Sequence, residues 1–443
     1  MRSSSNPFTR LPIFYGWIVI AVAFITMAIA VNARTAFSLL FPAILDEFHW
    51  DRGVIAGAFS IGFVASSAFT PFMGFAMDRW GPRVVIPIGA IMVILGLLGA
   101  TNVSSPLGFY IYLGFLVMNG TVAMTYFSHS MFLPHWFVRK RGLAIGIAFS
   151  GTGIGSITLL PWFQEVIDTA GWREACLVIA AVVAIIIPLA AYFQRQRPQE
   201  LGLEPDGDAG VGSENATVRP DPIVDAEWAN IDWTLKLAIR KSRFWWVFAA
   251  YFAALYAWYS VLVHQTVYLV ETGFDSTTAA TALGLVGLFG IIGQIGIGAL
   301  SDRIGREWAW TFSMCGYVVC YASLLALPGT PSTLLLYLMV AMQGLLGFGL
   351  AALYGSVSAE IFAGRRFASI FAVCGLGGNI GAGVGPWLTG YIFDTTGNYQ
   401  FAFQLCIVMS VISIICMWVA APRIVRLVAG QAARRAANSP ASP

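Results

Sequence analysis

The chain has 443 residues, 58% of them hydrophobic and only 11% charged, with a mean hydropathy of +0.75. A soluble domain carries about 25% charged residues, so the composition excludes an ordinary soluble protein and reads as a membrane protein. The net charge of +3 is too small to point to nucleic acid as a partner.

A helix that crosses a bilayer needs about 20 mostly apolar residues. After a polar head (1–13), twelve such runs follow: 14–45, 54–77, 84–101, 108–134, 142–165, 173–193, 244–270, 277–301, 308–327, 332–360, 367–393 and 400–421. The first has no small-residue cleavage site behind it and is expected to be retained. Between the sixth and seventh spans, residues 194–232 are rich in Gly, Pro, Asp and Glu and predict a flexible coil. "WTLKLAIRKSRFWW" (233–246) predicts a basic interfacial helix that anchors span 7. The expected domains are a tail (1–13), a six-helix bundle (14–193), a linker (194–243), a second bundle (244–421) and a second tail (422–443).

Basic residues orient such a chain, because Lys and Arg are retained on the cytoplasmic side. With the amino terminus in the cytoplasm, only Arg52 and Arg173 of the 25 basic residues fall outside, and Arg34 falls within a span. Both termini are therefore expected in the cytoplasm. The chain also repeats itself. "GFAMDRWGPR" (74–83) follows span 2 and "GALSDRIGR" (298–306) follows span 8, which pairs Asp78 with Asp302. "LPWFQEVIDTAG" and "GPWLTGYIFDTTG" close spans 5 and 11, which pairs Pro161 with Pro386 and Asp168 with Asp394 at nearly the same offset. One offset at three landmarks indicates a duplicated six-helix unit. Two parallel halves fit a rocker-type transporter.

Ionisable groups inside spans are costly and are read as functional by default. In the first span, "IAVNARTAFSLL" carries Arg34 about 30 Å along the helix at 1.5 Å per residue. A guanidinium there can hold a carboxylate through two N–H donors; the bland alternative is an arginine that snorkels outward. His264 in span 7 is a candidate for substrate binding and for proton coupling. Tyr126 and His129 share one face of span 4, with Asn119 nearby. Tyr259, Tyr268, Gln343, Tyr354 and Asn379 are further polar candidates, each of which could instead serve an interhelical hydrogen bond. Asp78, Arg79, Arg83, Asp302, Arg303 and Arg306 of the repeated loops are expected to gate and brace. Glu360, just before "AGRR", is expected to pair with Arg365, Arg366 or a signature-loop arginine.

Other chemistry finds no support. The six cysteines lie in apolar runs without CxxC or Cys/His spacing and read as small packing residues. The glycines of "SGTGIG" (150–155) and "GLGGNIGAGVGP" (375–386) lie within spans and lack a following Lys-Ser/Thr, so they predict helix packing rather than phosphate binding. No HExxH, GxSxG or metal cluster is present. Neither an enzymatic activity nor a cofactor nor a metal is expected.

The repeated "GFAMDRWGPR" resembles the signature loop of the major facilitator superfamily, Gly-x-x-x-Asp-Arg-x-Gly-x-Arg. "YGWIVIAVAF" (15–24) and "HWFVRKRGLAIGIAFSGTGIG" (135–155) look like the paired signatures of the monocarboxylate transporter family. "RPQELGLEPDGD" and "VHQTVYLVETGF" look like its bacterial branch, which includes oxalate:formate antiporters. The resemblance spans about residues 14–422. It implies a twelve-helix facilitator fold, a bacterial inner membrane, a small organic anion with or without protons as partners, and a single chain as a sufficient unit. It also makes spans 3, 6, 9 and 12 peripheral, and those contain no interior charge. The chain departs from the family in having no arginine in span 8 and no lysine in span 11. Ungapped matching sets Thr35, not Arg34, where animal members have a lysine. The expected function is a secondary transporter of a small organic anion, a monocarboxylate above all. The alternatives are an efflux transporter for hydrophobic compounds, which span 5 disfavours by lacking the Gly-Pro signature, and a non-transporting sensor.

Overall fold

The computed structural model describes residues 13–49, 52–207, 222–328 and 332–438. Most of the predicted amino-terminal tail and the heart of the Gly/Pro-rich linker lie outside the described residues. The described chain is helical throughout: α1 Tyr15–Thr35, α2 Phe37–Phe48, α3 Arg52–Trp80 and α4 Pro82–Ala100. Next come α5 Pro106–His135, α6 Arg141–Ala170, α7 Trp172–Phe193 and α8 Ser242–Glu271. The rest are α9 Ser276–Ile304, α10 Arg306–Leu325, α11 Thr333–Ile361, α12 Phe367–Thr396, α13 Gln400–Ala420 and α14 Ala429–Asn438. Predicted span 1 is α1 and α2, joined by a turn at Ala36; each later span is one helix. Eleven of the helices are long and apolar enough to cross a membrane. The long helix α3 stands where the second span is predicted.

The chain forms two compact units, one of Met1–Phe137 with Ile147–Ala216, the other of Val138–Gly146 with Thr217–Pro443. The first turn of α6 thus belongs with the second unit and the rest of that helix with the first. Each unit contains one copy of the signature loop. Both loops turn on a glycine at positive φ, Gly81 (+71°) and Gly305 (+110°), a conformation that L side chains adopt only at a cost. The glycine ends one helix and lets the next start at once.

The glycines of spans 5 and 11 explain how the helices in each unit approach. In the first unit, a Cβ at Gly151 would stand 2.3 Å from the Phe24 carbonyl oxygen, and one at Gly155 2.3 Å from that of Ala28. In the second unit, Gly377, Gly381 and Gly385 meet the carbonyl oxygens of Phe248, Phe252 and Tyr256 at 2.4, 2.1 and 2.5 Å by the same measure. Small residues let backbones come this close, which is how membrane helices associate without a hydrophobic driving force. The seam between α1 and α6 is repeated between α8 and α12.

Two helices are broken. α5 is π-helical over Tyr110–Val117, and its backbone leaves the helical region at Thr125 (φ −104°, ψ −160°) before restarting at Tyr126. α11 is π-helical over Met342–Leu346 and tightens to a 3-10 turn at Gly347–Gly349. Shifted by the offset that carries Pro161 onto Pro386, the break at 123–125 falls on 348–350, so the irregularity is part of the repeat. Non-helical backbone at membrane depth is tolerated where it is buried in protein or lines a cavity.

The described ends of the linker are more ordered than its composition suggests. Pro198–Leu201 and Pro205–Gly207 form 3-10 turns, and Ile223 makes an antiparallel bridge with Arg426. The predicted interfacial helix over 233–246 shrinks to Leu235–Ala238, capped by the Thr234 hydroxyl, and α8 begins at Ser242. Lys241, extended at ψ 134°, separates the two.

Candidate functional site

Arg34 lies in the last turn of α1, half-buried, two residues before the turn at Ala36. The carbonyl end of a helix carries partial negative charge and favours a cation by about 0.3–1 kcal/mol. Two residues earlier, fully buried Asn32 organises this end of the helix. Its amide donates to the carbonyls of Ala28 (2.8 Å) and Thr152 (3.1 Å), and its oxygen accepts from the Ser156 hydroxyl (2.8 Å). The absence of a side chain at Gly155, where a Cβ would lie 2.4 Å from Asn32 Nδ2, makes room for this amide. Tyr126, the first residue after the break in α5, donates from its hydroxyl to Thr152 Oγ1 (2.9 Å) and sets its ring edge-on to Phe149. Thr152 therefore ties Tyr126 to the segment that carries Arg34. His129 turns away from this group: it is completely buried and Nδ1 donates to the Thr125 carbonyl (3.1 Å).

His264 and Tyr268 belong to another cluster, in the second unit. A carbonyl only accepts, so the contact of His264 Nε2 with Pro386 O (2.9 Å) places a proton on Nε2. In the neutral ring Nδ1 is then an acceptor, facing the Tyr399 hydroxyl at 3.3 Å. Tyr268 donates to the Leu324 carbonyl (2.8 Å) and packs edge-on against Tyr399 and Phe403. Both His264 nitrogens thus have protein partners, and a second proton on this imidazole would turn Nδ1 from acceptor to donor against Tyr399. Asn379, half-buried on α12, is two turns from Pro386, about 10 Å along the helix. It stands apart from the His264 cluster.

The second signature loop carries a buried set of charges. Asp302 accepts from the amides of Gly142 (2.9 Å) and Leu143 (3.0 Å) at the start of α6, and pairs with Arg306 (2.9 Å). Glu360 at the end of α11 pairs with Arg306 (3.2 Å) and with Arg141 (2.8 Å). All four charged residues are buried. These four charges cancel, which offsets part of the cost of burying them, and the half-buried Arg426 guanidinium adds its field at Glu360. Its glycine contact is among the closest in the protein: a Cβ on Gly142 would stand 2.2 Å from Gly298 O. The first loop is built differently. Asp78 is half-buried, Arg79 and Arg83 are exposed, and Arg83 Nε donates to Ala191 O (2.8 Å). Arg303, like Arg79, is exposed.

At the far end of α2, Glu47 accepts from both guanidinium nitrogens of Arg173 (2.5 and 2.7 Å) and from Trp172 Nε1 (2.7 Å). These hydrogen bonds, that of Arg173 foremost, hold the Glu47 carboxyl below its ordinary value of 4.5. The Arg173 guanidinium stacks 4.4 Å from the Trp172 ring. The pair fastens the end of the segment that begins at Arg34.

Sequence reasoning singles out Arg306 and Glu360 but misses Arg141 and the hub role of Asn32. Asn32 carries a signal, an amide in an apolar run two residues from Arg34. Arg141 carries none, because its partner Glu360 lies beyond the linker, in the other half of the sequence.

Comparison with known proteins agrees with this architecture. The Major Facilitator Superfamily profile matches residues 23–359 and 331–443. Monocarboxylate transporter 11 of Mus musculus is 26% identical over 409 residues, covering 88% of this chain and 84% of that protein. Monocarboxylate transporter 13 of Rattus norvegicus is 26% identical (88% and 85%), and monocarboxylate transporter 2 of Homo sapiens 23% identical (88% and 82%). Among solved structures, the E. coli fucose:proton symporter superposes with a TM-score of 0.67 at 15% identity, covering 95% of this chain and 100% of that one. A proton:xylose symporter reaches 0.70 at 12% identity, covering 95% and 99%. The helices, the duplicated signature loop and the profile match lead to one conclusion: this chain is a multi-pass membrane transporter belonging to the major facilitator superfamily.

Proposed function

We propose that the protein is a secondary transporter that carries a small organic anion of the monocarboxylate class by alternating access, with Arg34 as the group that neutralises the carboxylate. The observation that carries this reading is the position of Arg34. It is a permanent cation past the midpoint of the first span, next to a hydrogen-bonded relay of buried Asn32 with half-buried Thr152 and Tyr126. An arginine at bilayer centre costs about 2.5–3.5 kcal/mol on translocon scales, so a use for it is expected. A carboxylate cannot cross lipid as a bare charge, and two parallel N–H donors meet its geometry. Tyr126, whose hydroxyl can accept as well as donate, is the neighbouring polar contact. The similarity to named monocarboxylate transporters supports the substrate class.

The buried set of Arg141, Asp302, Arg306 and Glu360 serves as a lock at the signature-loop end in this reading. Positive charge concentrated in the loops supports a cytoplasmic location for that end and for both termini; the membrane is a cell membrane, the bacterial inner membrane by resemblance. His264 is the candidate proton carrier, since protonation reverses its hydrogen bond with Tyr399. Asn379 and Tyr268 complete the polar candidates of the second unit.

The test is uptake of a labelled monocarboxylate panel into proteoliposomes, with and without an inward proton gradient, by wild type and Arg34→Gln. Saturable uptake lost in Arg34→Gln supports the assignment, and stimulation by the gradient establishes proton coupling. Uptake unchanged by Arg34→Gln moves the anion site elsewhere. Folded protein that takes up no acid sinks the monocarboxylate reading and favours efflux of larger apolar compounds.

A further inference from the structure

The carbonyls that close a helix find no partners within it. At the end of α9 those of Arg303 and Ile304 are taken by the carboxy-terminal tail, from the far side of four further spans. Gln431 Nε2 donates to Ile304 O (2.8 Å) and Arg434 Nη2 donates to Arg303 O. Gly430 lies against the same backbone, where a Cβ would stand 2.5 Å from Arg303 O. The Gln431 side chain covers Gly305, the positive-φ residue between Asp302 and Arg306. The sequence of α14, "AGQAARRAAN", has no apolar side chain larger than alanine. It docks through directed hydrogen bonds rather than through a hydrophobic face.

The tail reaches this place along a defined path. The backbone N–H of Arg423 donates to the buried Glu307 carboxylate (2.9 Å). The stretch 425–427 then pairs with the end of the linker: Val224 N donates to Val425 O (3.0 Å) and Leu427 N to Pro222 O (2.8 Å). That end of the linker is fixed in turn. Asp225 caps the turn carrying Trp228, and Trp228 Nε1 donates to Ile361 O (2.8 Å). Trp233 sets its ring edge-on to Phe362. The clasp of linker and tail therefore grips two places. One is the loop carrying Asp302 and Arg306; the other is the residue after Glu360. These contacts fall on residues adjacent to three of the four members of the buried charge set, Asp302, Arg306 and Glu360.

We propose that this clasp is a positioning element of the lock. It holds Asp302, Arg306 and Glu360 in the register at which they receive Arg141 and the amides of Gly142 and Leu143, and it thereby sets how readily the lock opens. Gln431 and Arg434 are positioning residues: they touch no charged member of the set and act through the loop they cap. The inference rests on the transporter reading insofar as the lock must release during a cycle.

The test is amide hydrogen exchange by mass spectrometry on the full chain in lipid nanodiscs, comparing wild type with Gln431→Ala/Arg434→Ala. Asp302 caps the amides of Gly142 and Leu143, so their exchange reports lock opening. The double variant is expected to exchange there at least tenfold faster, with peptides from α7 unchanged. Faster exchange confined to 303–306 and the tail, with Gly142 and Leu143 still protected, would overturn the proposal, as would no change anywhere. Gln431→Ala alone removes one hydrogen bond from the surface of α14; it carries the test if the double variant misfolds, with a severalfold increase expected at the same amides. Acid uptake by the same preparations separates the two readings: faster lock exchange alongside wild-type protein that takes up no acid leaves the clasp standing and removes the anion assignment.

Discussion

Gly381 and Gly383 lie two residues apart on α12, and the structure predicts opposite outcomes for alanine at each. A Cβ on Gly381 would stand 2.1 Å from the Phe252 carbonyl oxygen and 2.9 Å from its carbon, whereas one on Gly383 meets nothing within 4 Å. Carbon–oxygen contacts settle at about 3.3–3.6 Å, so the two groups, 2.1 Å apart, would have to move apart by about 1.2–1.5 Å at Gly381. The obstacle is backbone, which cannot swing aside as a side chain would. Separation there also loosens the contacts of Gly377 and Gly385 one turn away on either side. Overpacking of this kind costs about 1–3 kcal/mol. At Gly383 the only change is in helix propensity, which favours alanine by about 1 kcal/mol. The propensity gain is common to both variants, so they should differ by the overpacking cost alone, roughly 1–3 kcal/mol. Thermal unfolding of the detergent-purified proteins, side by side with wild type, reads the order directly: Gly383→Ala at or above wild type, Gly381→Ala well below. A Gly381→Ala protein as stable as Gly383→Ala would refute the claim that this seam is set by backbone contact.

The buried charge set should show coupling. Glu360→Gln alone leaves Arg141 and Arg306 facing a single carboxylate and is expected to destabilise by about 3–5 kcal/mol, whereas adding Arg141→Gln should recover about 1–3 kcal/mol; strictly additive losses in a double-mutant cycle would mean that the pair does not interact. Tyr126→Phe removes the hydroxyl that donates to Thr152, a change of about 1 kcal/mol, and should raise the KM for uptake about fivefold while the protein stays folded; an unchanged KM would make Tyr126 a packing residue. The Glu47–Arg173 pair should be sensitive to pH. The Glu47 carboxyl is held below 4.5, so its contribution is complete above that value and disappears as pH falls through the lowered one. The Tm difference between wild type and Glu47→Gln should accordingly close as the pH falls below 4.5, and a difference constant with pH would show that the pair contributes through packing alone.

The parts of this fold that can be read from the sequence are those written in local pattern. Twelve apolar runs and a nearly constant offset are visible without coordinates because lipid demands an unbroken apolar stretch and duplication preserves spacing. The glycines of spans 5 and 11 can likewise be read as packing, since they lie in apolar surroundings without a phosphate-binding Lys-Ser/Thr. The sequence leaves Glu360 a choice of Arg365, Arg366 or a signature-loop arginine, and the structure pairs it with Arg306 of that loop. Its other partner, Arg141, depends on tertiary contact that no local rule encodes. The same holds for the linker and tail: Gly, Pro and Asp predict coil, yet residues 222–225 are ordered by the stretch 425–427 at the opposite end of the second half. At the candidate site, Arg34 is conspicuous because of its cost, while Asn32 needs the structure to show what its amide holds. His264 is legible as a titratable group in a span, but its two protein partners are not.

The assignment of Val138–Gly146 to the second unit has a consequence for how the protein is made. Arg141 emerges from the ribosome roughly 220 residues before Glu360, which at about 5–20 residues per second is about 10–45 s. Through that interval the first turn of α6 exists without the acids that later cap and neutralise it. Val138, Arg139 and Lys140 are exposed even in the finished fold, so the segment is suited to wait in water or against lipid headgroups. The last helices of the first half are made before Glu360 exists, and a chain that stops short of residue 360 holds Arg141 without the carboxylate it pairs with.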